Sequence, residues 1–411
     1  MNLRHGYGRL KPPLFCHHSI KGFTNEQSQY PRRVSLMWRL PVSLFLIVLM
    51  KISVRVLRRG PTFIDIFSGA GGSTLGFIHA GFVPLGALDK YGYALKTFTY
   101  NVHRLGFRPD IRRADAFTFN FDKWSKELGD VDVLVGCPPC QGFSRLRLNL
   151  NGGEDPRNQL ISAYIKAVKA FRPRALVFEN VPGILRSEYF SMLVNELQRQ
   201  GYGIAYGVLN AADYGVPQLR RRLILVAVLS RKLDNFPPPP THGPPSSPKV
   251  KEGLLKRWVT VRDAISDLPP LGPGENHQSI PNHVTKKLPE QWIRLIKAIP
   301  KDGGSRFDAP RELWLECHKR LKSGFNDVFG RLWWDRPSNV ITTGCWDPSR
   351  GRFVHPEQDR GLSLRECARL QGFPDDFVFH GPKASVARQI GEALPPPLAK
   401  SVALYLRSHY L

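Results

Sequence analysis

The stretch Val131-Asp-Val-Leu-Val-Gly-Cys-Pro-Pro-Cys-Gln-Gly-Phe-Ser144 decides how this chain is read. Its apolar, β-branched run from Val131 to Val135 is the pattern of a strand buried on both faces in a parallel sheet. A glycine, two prolines and two cysteines follow, so the chain turns sharply at the strand's carboxyl end. In open α/β sheets that edge is where ligands bind. Cys140 is then a soft nucleophile held on a stiff loop at the natural site position.

Outward from this strand the pattern is α/β. Upstream, Thr62-Phe-Ile-Asp-Ile-Phe67 reads as a strand, Ser68-Gly-Ala-Gly-Gly-Ser73 as a tight glycine turn, and Thr74 to Ala80 as the start of a helix. Val83 to Leu88 reads as a second strand ending at Asp89, Tyr93 to Val102 as a helix, and Ile111 to Ala114 as a short strand ending at Asp115. Downstream, a helix from Gln159 to Phe171 carries Ile161, Ile165 and Val168 on one face, and a strand from Arg174 to Phe178 ends at Glu179. A helix from Phe190 to Gln200 follows, and the runs Gly203 to Leu209 and Arg222 to Leu229 read as paired strands. Strands alternating with helices at this spacing predict a doubly wound, Rossmann-like α/β sheet.

Both flanks differ from this core. Residues 1–58 are basic, with Glu26 the only acid, and hold the apolar run Leu40 to Met50. Its 11 residues fall short of the roughly 20 that a membrane-spanning helix needs. It also begins too far from Met1 for a signal peptide and has no tidy small-residue cleavage site. On the other side, Asn235-Phe-Pro-Pro-Pro-Pro-Thr-His-Gly-Pro-Pro245 ends the regular pattern, because polyproline continues neither a helix nor a central strand. Residues 246–335 show little periodicity, many Pro and Gly, and scattered Lys, Arg, His and Trp, as in a small irregular insertion. Regular structure is expected again over Ser363 to Gln371 and over Ser385 to Leu406, the latter a helix interrupted by Leu394-Pro-Pro-Pro397.

The totals narrow the class. With 411 residues, 42% apolar and 11% aromatic, the chain has ample material for a core. Lys plus Arg number 59 against 34 Asp plus Glu, and a net +25 points to a polyanionic partner, nucleic acid first. The six cysteines are scattered except for one pair, which is no disulfide framework and suits a reducing cytosol.

Several residues are placed to do chemistry. Phe67-Ser-Gly-Ala-Gly-Gly72 follows a strand and opens a helix, the setting of a nucleotide-binding turn. Asp89, about 20 residues on at the end of the next strand, is where an acid holds ribose hydroxyls. Asp115 at the end of the third strand can accept from an adenine amino group. No Lys or Arg sits beside the turn to grip a pyrophosphate, so Phe67, Ser68, Gly69, Gly71, Gly72, Asp89 and Asp115 suggest an adenosine-containing cofactor. Each carboxylate taken alone reads equally as an ordinary loop or capping group. Cys137-Pro-Pro-Cys140 has the spacing of a redox dithiol or half a zinc site, but further ligands would have to come from isolated cysteines far off in sequence. Glu179 ends a buried strand at the same sheet edge as Cys140, where it is either a salt-bridge partner or an acid acting on a heterocycle. Gln218-Leu-Arg-Arg-Arg222 leads into another strand and can bring a guanidinium to that edge.

In their order, these motifs resemble those of the DNA (cytosine-5) methyltransferases. Phe-Ser-Gly-Ala-Gly-Gly, Pro-Pro-Cys-Gln-Gly-Phe-Ser, Glu-Asn-Val-Pro-Gly, Tyr214-Gly-Val-Pro-Gln-Leu-Arg-Arg-Arg222, Arg336-Pro-Ser-Asn-Val-Ile-Thr-Thr343 and Gln389-Ile-Gly-Glu-Ala-Leu-Pro-Pro396 carry the resemblance. It runs from about Pro61 to the C-terminus and is faint across 246–335, where the family keeps its variable recognition domain. Glu392 departs from the family's usual asparagine, Asp89 stands where glutamate is commoner, and Lys90 where an aromatic often stacks on adenine.

Residues 1–58 read as a basic extension outside the resemblance, which implies a catalytic and cofactor-binding domain over 59–234, a target-recognition domain over 235–375, and a C-terminal helix over 376–411 returning to the catalytic domain. It implies Cys140 as the nucleophile, Glu179 on the cytosine ring, Arg222 on the ring carbonyl and Arg220 supporting the site. It implies S-adenosylmethionine as cofactor, with Pro138 among its contacts, and Gln141, Ser144, Asn180, Gln218 and Thr342 on the substrate side. It also implies double-stranded DNA as partner, no membrane, no metal, and a monomer in a bacterial cytoplasm, associated with the nucleoid and with restriction–modification. A tRNA cytosine-5 methyltransferase and a catalytically silent DNA-binding protein share the same motifs and are the rival expectations.

Overall fold

The computed structural model describes residues 60–139, 160–320 and 326–411. The extension over 1–58, together with Cys140, Gln141, Ser144 and Gln159, therefore lies outside the described residues.

The sheet follows the alternation seen in the sequence. Strands β1 (Thr62–Ile66), β2 (Val83–Asp89), β3 (Asp110–Arg113), β4 (Val133–Gly136) and β5 (Ala175–Asn180) interleave with helices α1 (Gly72–His79), α2 (Gly92–Arg104), α3 (Phe121–Leu128) and α4 (Leu160–Phe171). Helix α5 (Glu188–Arg199) leads into the hairpin β6 (Tyr202–Asn210) and β7 (Arg221–Leu229). The strand order is β3-β2-β1-β4-β5-β7-β6. The pairs from β3 to β5 are parallel, while β7 runs antiparallel to both β5 and β6.

The hairpin is in place, and burial explains why its second strand goes inside. Leu223 to Val228 are all buried, whereas β6 is half-exposed along most of its length and sits at the sheet edge. Helix α3 has no counterpart among the expected elements. Only Phe121 and Trp124 bury themselves on it, while Asn120 caps it by accepting from the Lys123 N–H at 2.9 Å. Two buried residues in a short helix leave too little periodicity to detect.

Strand alternation builds two apolar layers. Ile64, Ile66, Leu134, Leu176, Phe178, Leu223 and Leu225 face α3, α4 and α5. Phe63, Val133, Val135, Val177, Ile224 and Val226 face α1 and the C-terminal helix. Gly136 permits the first layer to close, since a Cβ there would lie 2.4 Å from the Tyr164 ring. The expected interrupted helix is two helices. After α6 (Glu290–Ala298) and α7 (Leu364–Leu370), α8 (Lys383–Glu392) stops before the prolines and α9 (Pro396–His409) starts on them. Helix α9 packs so closely on α1 that a Cβ at Gly76 would lie 2.5 Å from the Ala399 methyl.

The described residues from 60 onward cluster as one compact unit. A third apolar cluster joins Ala70 and Leu75 of the glycine turn and α1 to Val261, Leu332, Ile341, Leu370, Phe373, Val386 and Ile390, crossing residue 375 without a break. The irregular region is thus seated directly on the turn at the carboxyl end of β1.

Candidate active site

Two neighbouring places at the carboxyl edge of the parallel strands hold most of the expected residues. The first is the turn after β1. Phe67, Gly69 and Gly71 have φ values of 63°, 54° and 97°, so the backbone doubles back in the left-handed region that glycine tolerates. The Phe67 and Ser68 N–H groups both donate to Leu88 O, at 2.8 and 3.2 Å, which ties the turn to the end of β2. Asp89 then accepts from the Gly69 N–H at 2.9 Å with one carboxylate oxygen and from the Tyr91 N–H at 2.8 Å with the other. Burial raises its carboxyl above the ordinary range, against these backbone donors. Each oxygen retains a lone pair for a ligand hydroxyl.

A Cβ added at Gly69 would meet nothing within 4 Å, so the turn opens onto free space. Among the described residues, the buried Ser68 Oγ has no hydrogen-bond partner. Open space, an orphan hydroxyl and a carboxylate with spare acceptors suit a nucleoside-bearing cofactor. Asp115 is exposed; it accepts from the Phe117 N–H at 3.0 Å and lies 3.9 Å from Lys90 Nζ. Lys90 itself stands 5.6 Å over the Tyr91 ring. Across the same rim Arg388 stacks at 4.1 Å on Tyr91 and pairs with Glu392 at 2.9 Å.

The sequence reading missed Asp65 and Arg388. Asp65 accepts from Ser73 Oγ and Thr74 Oγ1, both at 2.6 Å, and burial pushes its carboxyl up to about 6. An acid inside an apolar strand was the available signal. For Arg388 it was the spacing to Glu392, one helical turn on.

The second place lies where β4, β5 and β7 end. Ile224 is the register partner of Glu179, so Arg222 sits diagonally across from it, and Arg222 Nε reaches Glu179 Oε1 at 2.9 Å. Both side chains are largely buried. Cys137, the residue after β4, has its thiol within hydrogen-bonding reach of Glu179. Burial first, then the Glu179 and Asp65 charges, push that thiol well above its usual range. Such a thiol resists ionisation, which is unfavourable to a redox dithiol. Asn180 donates from Nδ2 to Pro138 O at 3.2 Å and accepts the Val181 N–H at 2.9 Å. The buried Pro138 is thereby pinned to the end of β5, and the Pro-Pro turn departs directly beside Glu179.

Gln218 is placed differently from its expected position on the substrate side, and Arg220 has a supporting arrangement. Gln218 is fully enclosed; it donates to Leu370 O at 3.1 Å and Gln371 Oε1 at 2.6 Å, and accepts the Ile341 N–H at 2.8 Å. Arg220 is equally enclosed, donating to Ile341 O and Gly391 O, both at 2.9 Å. Among the described residues, both hold the backbone of segments that come from the irregular region and the C-terminal helices. Strand alternation alone would put Arg220 and Arg222 on one face. Arg220, however, precedes β7 and closes a tight turn, its N–H donating to Gln218 O at 3.0 Å. Its side chain runs to the carbonyls of Ile341 and Gly391, while that of Arg222 runs to Glu179. Thr342 itself is exposed, with its backbone close against Gly391.

With this geometry in hand, relatives can be compared. A profile of the C-5 cytosine-specific DNA methylases matches residues 61–407. The chain belongs to that family. It is 34% identical to the type II methylase M.HgiDII of Herpetosiphon aurantiacus, over 83% of this chain and 93% of the relative. It is 36% identical to the type II methyltransferase M1.HphI of Haemophilus parahaemolyticus, over 83% of this chain and 85% of that protein. Among solved structures, an E. coli prophage-encoded protein assigned as a DNA modification methyltransferase matches with a TM-score of 0.63 and 24% identity, covering 85% of this chain and 99% of the other. The S. pombe Dnmt2 methyltransferase matches with a TM-score of 0.55 and 16% identity, covering 86% and 100%. These two likenesses bear on the fold, an α/β methyltransferase sheet. As a family member the chain is an enzyme, a DNA (cytosine-5) methyltransferase. Among the described residues no helix is long and apolar enough to cross a membrane.

Proposed function

We propose that this methylase acts on a cytosine extruded from duplex DNA, through a transient bond between Cys140 and carbon 6 of the ring. The observation that carries the reading is the Glu179–Arg222 pair, which lies at the foot of the Cys137-Pro-Pro turn that leads to Cys140.

Carbon 5 of cytosine is too weak a nucleophile to take a methyl group directly. Addition of the Cys140 thiolate to carbon 6 forms an S–C bond and moves the ring's electron pair towards carbon 5. A thiol with an ordinary pKa of about 8.5 is mostly protonated at neutral pH, so the loop has to favour the thiolate. Glu179 binds ring nitrogen 3 and the exocyclic amine, which stabilises the developing charge and distinguishes cytosine from thymine. Arg222 holds the ring carbonyl oxygen while keeping Glu179 oriented. Carbon 5 would take the methyl group, with the donor's sulfur leaving as a neutral thioether. The carbon 5 proton then passes to water, and the electron pair of that C–H bond restores the ring double bond and expels the Cys140 thiolate.

The residues around the β1 turn fit S-adenosylmethionine. Asp89 would take the ribose hydroxyls, and Phe67, Ser68, Gly69, Gly71 and Gly72 would line its path, with Asp115 and Pro138 alongside. When bound, that cofactor supplies a methyl group on a sulfonium centre. A sulfonium needs no phosphate clamp, in keeping with a turn that no cation grips.

Extruding a base costs a few kcal/mol of stacking and pairing. Contacts from the basic surface to phosphates would offset part of this, so binding should weaken steeply with salt. Residues 235–375 are the proposed target-reading segment, and Gln141, Ser144, Asn180 and Thr342 would border the base. Bisulfite sequencing of DNA from a host expressing the chain tests the reading. Protected cytosines in one recurring sequence are expected, and their absence, with methyl transfer to tRNA instead, overturns it.

A further inference from the structure

We propose that Leu219 and Val340 form an apolar wedge that enters the base stack of duplex DNA beside the extruded cytosine. The inference rests on the base-extrusion reading above. Isolated apolar residues on a surface need no explanation. These two differ because they are exposed together, at 43% and 36%, on segments held side by side. Gln218 and Ser338 form a parallel bridge. The Leu219 N–H donates to Ser338 O, and the Ser338 N–H to Pro217 O, both at 2.9 Å. Beneath them Gln218, Ser338 and Ile341 are buried, and Gln218 also accepts the Ile341 N–H. Two apolar side chains thus stand on a backbone that is hydrogen-bonded from below.

Their position relates them to the reactive edge. Leu219 is three residues before Arg222, the partner of Glu179. A tight turn is centred on Leu219, the Arg220 N–H donating to Gln218 O at 3.0 Å, so the separation is at most about 10 Å, within roughly three stacked bases at 3.4 Å each. Arg221 is exposed between them and supplies a cation for a phosphate. The chain's net charge of +25 favours the same partner.

Physical chemistry gives the pair a purpose. An extruded base leaves a gap in the stack, and apolar side chains are the groups that proteins insert between base steps. Valine is stiff at χ1, and both residues stand on a braced backbone, so little freedom is lost on insertion. The wedge would engage only when a base leaves the stack.

The test uses the full chain and two duplexes, one with and one without the methylated sequence, with 2-aminopurine in place of the target cytosine for a fluorescence readout. Wild type should show a rise in fluorescence on the target duplex only. The double variant Leu219→Ala/Val340→Ala should lose most of that rise and bind the target duplex about tenfold more weakly, in line with the loss of modest apolar burial. Its affinity for the non-target duplex, its melting temperature and its S-adenosylmethionine affinity should stay within twofold or unchanged. Equal weakening on both duplexes would overturn the wedge, because a sugar–phosphate contact behaves that way, and so would no weakening on either. A wild-type chain that gives no target-dependent fluorescence would instead overturn the extrusion reading itself, and the wedge with it.

Discussion

The sheet and the region over 235–375 are two ways of building an interior. In the sheet, the strands supply one another's hydrogen bonds, and the side chains between layers are Val, Leu, Ile and Phe. In the irregular region the backbone has few ladder partners, and buried arginines take their place. Arg331 donates to Ile296 O, Ile299 O, His355 O and Gln358 O and pairs with Asp359. Arg365 donates to Pro281 O, Pro374 O and Phe377 O. Arg360 grips both oxygens of Glu366, at 2.8 and 2.6 Å, and reaches Leu271 O. A guanidinium carries five donors in a fixed fork, which suits it to gathering unpaired carbonyls. The lesson concerns charge as well as packing: part of this chain's basic excess is structural and never meets a phosphate.

Breaking one of these forks should have the largest effect on stability. Arg360→Met leaves Glu366 buried without its partner and should cost about 3–5 kcal/mol in denaturant unfolding. A loss under 1 kcal/mol would erase the contrast between the two interiors. In the sheet, Leu134→Ala should cost about 3 kcal/mol by opening a cavity, with no dependence on pH.

Acid should separate the regions further. Burial alone would raise the Glu366 carboxyl, but Arg360, with help from His355 and the Ser363 N–H, brings it down to about 2. Because the folded value lies below the unfolded one, this stabilisation is complete above about pH 4.5 and is lost as pH falls towards 2. His355 is lowered to about 4, chiefly by burial. It binds its proton more readily in the unfolded chain, so stability already declines from about pH 6.5 downwards. Melting temperature should therefore fall steadily from pH 7 to 3, and Glu366→Gln should flatten the lower part of that profile.

The contrast between Arg220 and Arg222 offers a finer comparison. Arg222→Ala should cut kcat by about 10²–10³, the size of effect seen when a charge-stabilising donor is removed, and should also lower the melting temperature, since the largely buried Glu179 loses its partner. Arg220→Ala should lower the melting temperature by several degrees, because carbonyls of the 341 and 391 segments lose their donor. The smallest effect belongs to the exposed Lys90–Asp115 pair, 3.9 Å apart. Asp115→Asn should change stability by less than about 0.5 kcal/mol, and its readout is S-adenosylmethionine affinity by calorimetry.

The same contrast decides what could be read in advance. Strands such as Val133 to Val135 announce themselves by runs of β-branched residues, and the turn after β1 by its glycines. Glu179 was legible as the acid ending an apolar strand and Arg222 through the resemblance, but their pairing emerges only from the register of β5 and β7. Arg331, Arg360 and Arg365 were not legible, since a buried arginine is written with the same letter as a solvated one. Nor was the enclosure of Gln218, which depends on Gln371 and Ile341 arriving from more than 120 residues away.

The account turns on the sulfur at 140 sharing one ring with Glu179. Incubating the wild-type chain, S-adenosylmethionine and a duplex carrying 5-fluorocytosine at the target, followed by peptide mass spectrometry, examines this directly. A covalent adduct on Cys140 that Glu179→Gln diminishes sharply is the predicted result. An adduct on Cys137, or none while the same chain methylates ordinary duplex, would contradict it.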